Sequence, residues 1–272
     1  MDDEFKLEAN YHSHTYRCGH AVGTDAEYVR FALRKGLKAI GFSDHVILPG
    51  ASQPGMRGDP SLLEGYISSV KSLKAKYRGE IDVLLAFECE WYRQEFASYY
   101  RDLLAEKGFD YLILGQHCFH ENGRFTFYGE MSDREESLRK YTADVLDALD
   151  SGLFAYVAHP DLYVRWYRKW DALCEECAYL ICRKAKQMNT PLEINMGPSR
   201  WARKSDPDDL SILIYPYPRF FQIAKEVGNQ FVVGVDAHDP KEYLTSDYVW
   251  LNRFLEKLGI APLKRVAFPK VK

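Results

Sequence analysis

The sequence has no apolar run of the roughly 20 residues that a membrane-spanning helix needs; stretches such as Val83-Leu84-Leu85-Ala86 and Phe231-Val232-Val233-Gly234-Val235 are far too short. It also has no basic block. A net charge of -3 offers little to neutralise a phosphodiester backbone, so nucleic acid is not expected as a partner, whereas a small anion remains compatible. The opening Met1-Asp2-Asp3-Glu4 lacks the positive charge of a signal peptide, and six cysteines without an export signal are expected as reduced thiols, which points to the cytoplasm. Cys174-x-x-Cys177 has no second such pair to complete a zinc quartet and falls in the helical-looking stretch Trp170 to Met188, so we read it as helix packing. Repeats and low-complexity tracts are missing too. With 46% hydrophobic and 28% charged residues, the 272-residue chain is expected to fold as a single domain over 1–272.

What is present is a rhythm. Short β-type runs near 7–12, 38–43, 81–88, 111–115, 154–158, 191–195 and 230–235 alternate with amphipathic stretches of helical character. The latter are Asp25 to Lys35, Ser61 to Tyr77, Gln94 to Lys107, Asp133 to Asp150, Asp171 to Lys186, Arg219 to Val227 and Lys241 to Leu258. Thr24 or Asp25 and Gly36 bracket the first, Asp59-Pro60-Ser61 precedes the second, and Gly108 follows the third. Strict alternation means a parallel sheet covered by helices. The periodicity leaves open whether that sheet is open or closed, and whether Arg265 to Phe268 adds an edge strand.

Polar residues favour closure. Consecutive strand ends read Tyr11-His12-Ser13-His14, Ser43-Asp44-His45, Glu88-Cys89-Glu90, Gln116-His117, Ala158-His159-Pro160-Asp161, Glu193-Ile194-Asn195 and Asp236-Ala237-His238. In a barrel these ends surround one point, at the face where barrel active sites lie. His12 and His14 share a face of an extended strand, as do Asp236 and His238, a spacing that suits two ligands on one ion. Of eight histidines, seven (His12, His14, His20, His45, His117, His159 and His238) lie at or just after a strand end; His120 is left over. Any one of them is more simply read as a satisfied core or surface histidine. Seven at one end of one sheet, packed around Glu88 and Asp236, would leave buried carboxylates and ring nitrogens unpaired unless cations joined them. Imidazole with carboxylate suits zinc, manganese or iron. Glu90 shares a strand face with Glu88 and competes with it as the central carboxylate.

These motifs, with Cys18-Gly19-His20 and Gly41-Phe42-Ser43-Asp44-His45, resemble the ordered motifs of the PHP (polymerase and histidinol phosphatase) family, over about Leu7 to Tyr243, and most of all its monofunctional histidinol-phosphate phosphatases. The resemblance implies a distorted (β/α)7 barrel of the TIM type, with two or three divalent ions (Zn, Mn or Fe) at the C-terminal strand ends, hydrolysing histidinol phosphate in histidine biosynthesis. Position by position, His12, His14, Glu88 and Asp236 would hold one ion, Glu88 would bridge to a second held by His117 and His159, and His20, His45 and His238 would hold a third. Ala86-Phe87-Glu88 replaces the family's frequent Gly-x-Glu, and Val235 replaces a serine beside Asp236; no ligand is lost.

Asp44 or a metal-bound water is expected to help protonate the leaving alkoxide, with Glu88 and Asp236 at the reacting centre. Arg165 and Arg200 resemble the family's phosphate-contacting arginines, with Arg17 and Arg203 as weaker candidates. Glu90 would meet the substrate's ammonium, and Trp91, Tyr92, Phe119, Trp166 and Trp201 are candidates for an aromatic wall. The rivals are an amidohydrolase, which would bridge its metals with lysine, a PHP enzyme acting on a nucleotide or another phosphate ester, and a metal-free scaffold. The oligomeric state is left open.

Overall fold

The computed structural model describes residues 4–201, 204 and 206–269. Strands β1 (Ala9–Asn10), β2 (Ala39–Phe42), β3 (Asp82–Cys89) and β4 (Tyr111–Leu114) pair in parallel in chain order. Hairpin β5 (Cys118–Glu121) and β6 (Arg124–Phe127) follows, and β7 (Leu192–Asn195) pairs in parallel with β8 (Phe231–Gly234). The expected strand at 154–158 is reduced to the bridge residue Val157, which links Leu114 to Leu192 and carries the sheet across from β4 to β7. A single bridge from Ser13 to Ala237 returns β8 to β1. At that seam the Asn10 side chain does the work of a ladder: Oδ1 accepts from Val235 N at 2.8 Å and Nδ2 donates to the His12 carbonyl at 2.8 Å. The result is a curled, distorted (β/α)7 barrel.

Helices α1 (Asp25–Lys35), α2 (Leu63–Lys76), α3 (Gln94–Ala105), α4 (Arg134–Asp150), α6 (Ala172–Gln187), α8 (Pro218–Val227) and α10 (Tyr248–Leu258) wrap the sheet. The short turns α5 (Val164–Tyr167), α7 (Pro198–Trp201) and α9 (Glu242–Thr245) sit on the connecting segments. Thr24 and Glu27 form the reciprocal cap of α1, and Gly36 closes it in the left-handed conformation. The stretch expected as one helix from Lys241 to Leu258 is two, α9 and α10, because Asp247 caps a new start by accepting from Trp250 N. Cys174 and Cys177 are free and buried in α6. Among the described residues no helix is long and apolar enough to cross a membrane.

Alternation along the strands sorts the core. Val83, Leu85 and Phe87 of β3, Leu192 and Ile194 of β7, and Phe231 and Val233 of β8 pack toward the helices. Their neighbours Glu88, Glu193 and Asp236 therefore face the interior. The floor of the barrel is apolar. Residues 265–268, considered as an edge strand, form no strand; Phe268 instead stacks on Tyr111 at 4.6 Å and meets Tyr11 edge-on at 5.6 Å.

Candidate metal centre

Glu88 sits at the middle of the upper end of the barrel, 1% exposed, with five imidazoles aimed at its carboxylate. The distances are 3.5 Å from His12 Nε2, 3.4 Å from His14 Nε2, 3.1 Å from His45 Nδ1, 3.6 Å from His117 Nε2 and 2.8 Å from His159 Nε2. Gly115, just past the end of β4, makes room, since a Cβ there would run into the Glu88 carboxylate. Asp236 Oδ1 lies 3.5 Å from His12 Nε2 and 3.4 Å from His14 Nε2, which are 3.1 Å from each other. Ligands bonded to one tetrahedral zinc at 2.0–2.1 Å are separated by about 3.3 Å. His12, His14, Asp236 and Glu88 match that spacing.

Four further trios bring ligand atoms within 4.8 Å of one another: His45, Glu88 and His117; His14, His45 and His238; His12, Glu88 and His159; and His14, Cys18 and Asp44. His45 therefore lies between the second and third expected groups. His20 joins no such trio; it is exposed at the rim, its ring 5.3 Å from His45 and 5.0 Å from His238. His45 Nδ1 and Glu88 Oε2 are buried and 3.1 Å apart, yet aligned for no hydrogen bond. Buried polar atoms that converge without bonding are expected where a common cation satisfies both. Backbone strain marks the same place: His159 and Asp236 have φ of 29° and 52°.

Behind the ligands stand carboxylates. Glu193 Oε1 is 2.8 Å from His12 Nδ1, and its Oε2 accepts from His159 N at 3.0 Å and Asn195 Nδ2 at 2.8 Å. A carboxylate on Nδ1 fixes the tautomer and turns the Nε2 lone pair to the centre. Burial opposes charge on Glu88, but His117, His12 and His45 outweigh it and hold the acid well below its usual range. For Asp236, burial is likewise overcome by His12 and His14. His12 is held well above its ordinary value because Glu193, Asp236 and Glu88 more than offset its burial, while burial and His238 push His14 down to about 3.

Several expectations meet a different geometry. Glu90 is fully buried and engaged by Arg57, Tyr92 and His117, so it neither bridges nor reaches a substrate ammonium. Asp44 is buried and not in the cavity's lining; it accepts from Thr15 N, Thr15 Oγ1 and Cys18 Sγ at 2.5, 2.7 and 3.0 Å, and its carboxylate lies with His14 and Cys18 in a further group of possible ligand atoms. Arg200 uses its guanidinium on the carbonyls of Val235 and Asp236 at 2.6 and 2.7 Å and on Glu242 at 3.0 Å; it pins the end of β8. Arg17 pairs with Asp25, and Arg203 lies outside the described residues. Arg165 lines the cavity above the cluster, and Arg200 reaches its wall as well while bonded to the end of β8.

That cavity, about 240 Å³, has the ligand cluster on one side and Met56, Phe127, Leu162 and Tyr215 on the other. Trp91, Tyr92, Phe119 and Trp166 are not in its wall; Trp91 donates instead to Asp147 at 2.6 Å, and the side chain of Trp201 lies outside the description. Among the described lining residues there is no lysine, and a glutamate holds the central position, unlike the lysine-bridged amidohydrolase.

A model of the PHP domain matches residues 10–197. The chain belongs to the PHP domain family. It is 30% identical, over 85% of its length and 86% of the relative's, to a protein of Deinococcus radiodurans named as a probable histidinol-phosphatase. The histidinol-phosphatase of Bacillus subtilis is 33% identical over 29% of this PHP chain and 32% of its own length. The crystal structure of histidinol phosphate phosphatase from Lactococcus lactis, complexed with zinc, L-histidinol and phosphate, superimposes with a TM-score of 0.69 at 19% identity. It covers 96% of this chain and 99% of that one, so the two share the fold.

Proposed function

We propose that this PHP protein is a metal-dependent phosphatase that hydrolyses L-histidinol phosphate to L-histidinol and phosphate, and that the whole chain works as one domain. The observation that carries the reading is Glu88 ringed by five histidines beside Asp236, a donor set for divalent ions at the open end of a barrel. The 30% identity to the Deinococcus protein over most of both chains supports the substrate.

His12, His14, Glu88 and Asp236 would hold one ion, His117 and His159 a second that shares Glu88, and His45 and His238, with His20 at the rim, a third. Zinc, manganese or iron in such a site lowers the pKa of water, supplies a nucleophile at neutral pH and screens the charge on phosphoryl oxygens. The chain's own residues position the ester. Arg165, at the cavity wall, would add a charge-assisted contact to the phosphoryl group. Met56, Phe127, Leu162 and Tyr215 would receive the carbon skeleton and imidazole and exclude water from that side.

The deciding experiment is phosphate release from histidinol phosphate and a panel of other phosphomonoesters. It compares metal-stripped protein with the same sample after zinc or manganese is restored. Metal-dependent turnover that prefers histidinol phosphate is expected. Preference for another ester would replace the substrate and keep the centre, and no turnover with any metal would overturn the enzyme reading.

A further inference from the structure

Glu90 follows β3 and points to one side of the cluster, not into it. Its Oε2 accepts from Arg57 Nη2 at 3.0 Å and from the Tyr92 hydroxyl at 3.1 Å, and its Oε1 is 3.0 Å from His117 Nδ1. Arg57 reaches it from the segment between β2 and α2. Its side chain is as buried as that of Glu90, and its donors are all directed inward: Nε to Gln53 Oε1 at 3.0 Å, Nη1 to the Val46 carbonyl at 3.1 Å, and Nη2 to Glu90 and the Tyr92 hydroxyl. The Phe125 ring lies under the guanidinium at 5.4 Å.

Desolvating a carboxylate and a guanidinium costs about as much as their attraction returns, so an apolar pair of equal volume would stabilise the fold as well or better. The pair's geometry has a different product. With Nδ1 given to Glu90, the His117 ring presents Nε2 toward Glu88 Oε1, 3.6 Å away, in the orientation a ligand to a shared ion requires. We propose that Arg57 and Glu90 are a positioning pair that sets the tautomer and orientation of His117 as a metal ligand. Glu90 alone, without Arg57, would be a buried carboxylate with only Tyr92 and His117 to satisfy it, and would draw the imidazole away from the cluster. Arg57 anchors Glu90 in place and so leaves His117 facing Glu88.

The proposal rests on the metal-centre reading above. Its test is zinc titration into the metal-stripped full-length protein, read by competition with a chromogenic chelator, so that no substrate is involved. His117→Ala identifies which zinc equivalents depend on His117. Arg57→Met and Glu90→Gln are expected to weaken those same equivalents by about 10- to 100-fold and leave the others as in wild type. Arg57→Lys, which keeps the charge without the planar fork, restores part of the affinity. Combined with His117→Ala, Arg57→Met adds nothing further, because the residue it acts through is gone. A pair with a purely structural role would lower the melting temperature and leave every zinc equivalent of the folded protein unchanged, and that result overturns the proposal. If Arg57→Met does not fold, the isosteric Glu90→Gln decides the same question. Wild-type protein that takes up no zinc would instead remove the metal centre itself.

Discussion

Glu193 illustrates how much of a metal site lies behind its ligands. It shares a face of β7 with Asn195, is not in the lining of the cavity above the cluster, and contacts both His12 Nδ1 and the backbone of His159. Glu193→Gln keeps the volume but sets an amide donor against the donors of His159 and Asn195. We expect a roughly 10- to 100-fold loss of metal affinity with the fold retained, measured by chelator competition and circular dichroism. Protonation follows from the same contacts. His12 and His117 are raised above 6.5 in the metal-free protein: burial lowers both, but Glu193, Asp236 and Glu88 outweigh it at His12, and Glu88 and Glu90 outweigh it at His117. Charged His12 and His117 stabilise the metal-free fold fully below pH about 6.5, and that contribution fades as pH rises through their elevated values. A metal ligand must be unprotonated, so zinc binding at pH 7 should release protons; calorimetry in buffers of different ionisation enthalpy will show an uptake by buffer that shrinks as the starting pH is raised.

At the level of elements, the strand ends were legible and the loops were not. Alternation with a period of two predicts which of Phe87 and Glu88, or Val235 and Asp236, turns inward, and the strand ends bring His12, His14, His45, His117 and His238 to one end of the barrel, while His159 follows a single bridge residue and His20 a short turn. Loop partners have no such period. Arg57 comes from an irregular segment, Phe127 from a hairpin whose residues 118–127 mimic neither a helix nor a barrel strand, and Asp44 and Arg200 bond to partners distant in sequence that spacing does not encode. The 154–158 strand was expected from its apolar run, but only Val157 has the bridging geometry, because the chain there must turn sharply into the strained His159. The hairpin is an element that carries a testable role. Phe127 at its end is 36% exposed and lines the cavity, so Phe127→Ala should remove about 1 kcal/mol of contact, raising KM for histidinol phosphate about fivefold with little change in kcat. An equal loss for a small ester without a ring would argue against a wall that receives the imidazole.

For the molecule as a whole, the closed ring of strands draws seven histidines and two central carboxylates together from both ends of the sequence, so metal binding and folding are coupled. Ions held at 100 times their dissociation constant add about 2.7 kcal/mol. In a chain of this size each kcal/mol moves the melting temperature by about 2–4 °C. Chelation should therefore lower it by about 5–10 °C, with recovery on adding zinc or manganese, read by differential scanning fluorimetry; an unchanged melting curve would mean that the cluster does not depend on ions. The other end of the ring is closed by different means. Phe268, Tyr11 and Tyr111 fill the floor, and the Tyr111 hydroxyl donates across it to the Tyr11 carbonyl at 2.7 Å. Under the proposed function, a vessel sealed at its floor would impose an order on its traffic: the alcohol, nearer the opening, would depart first, and inorganic phosphate, left deepest among the ligands, would occupy the place the next ester must enter.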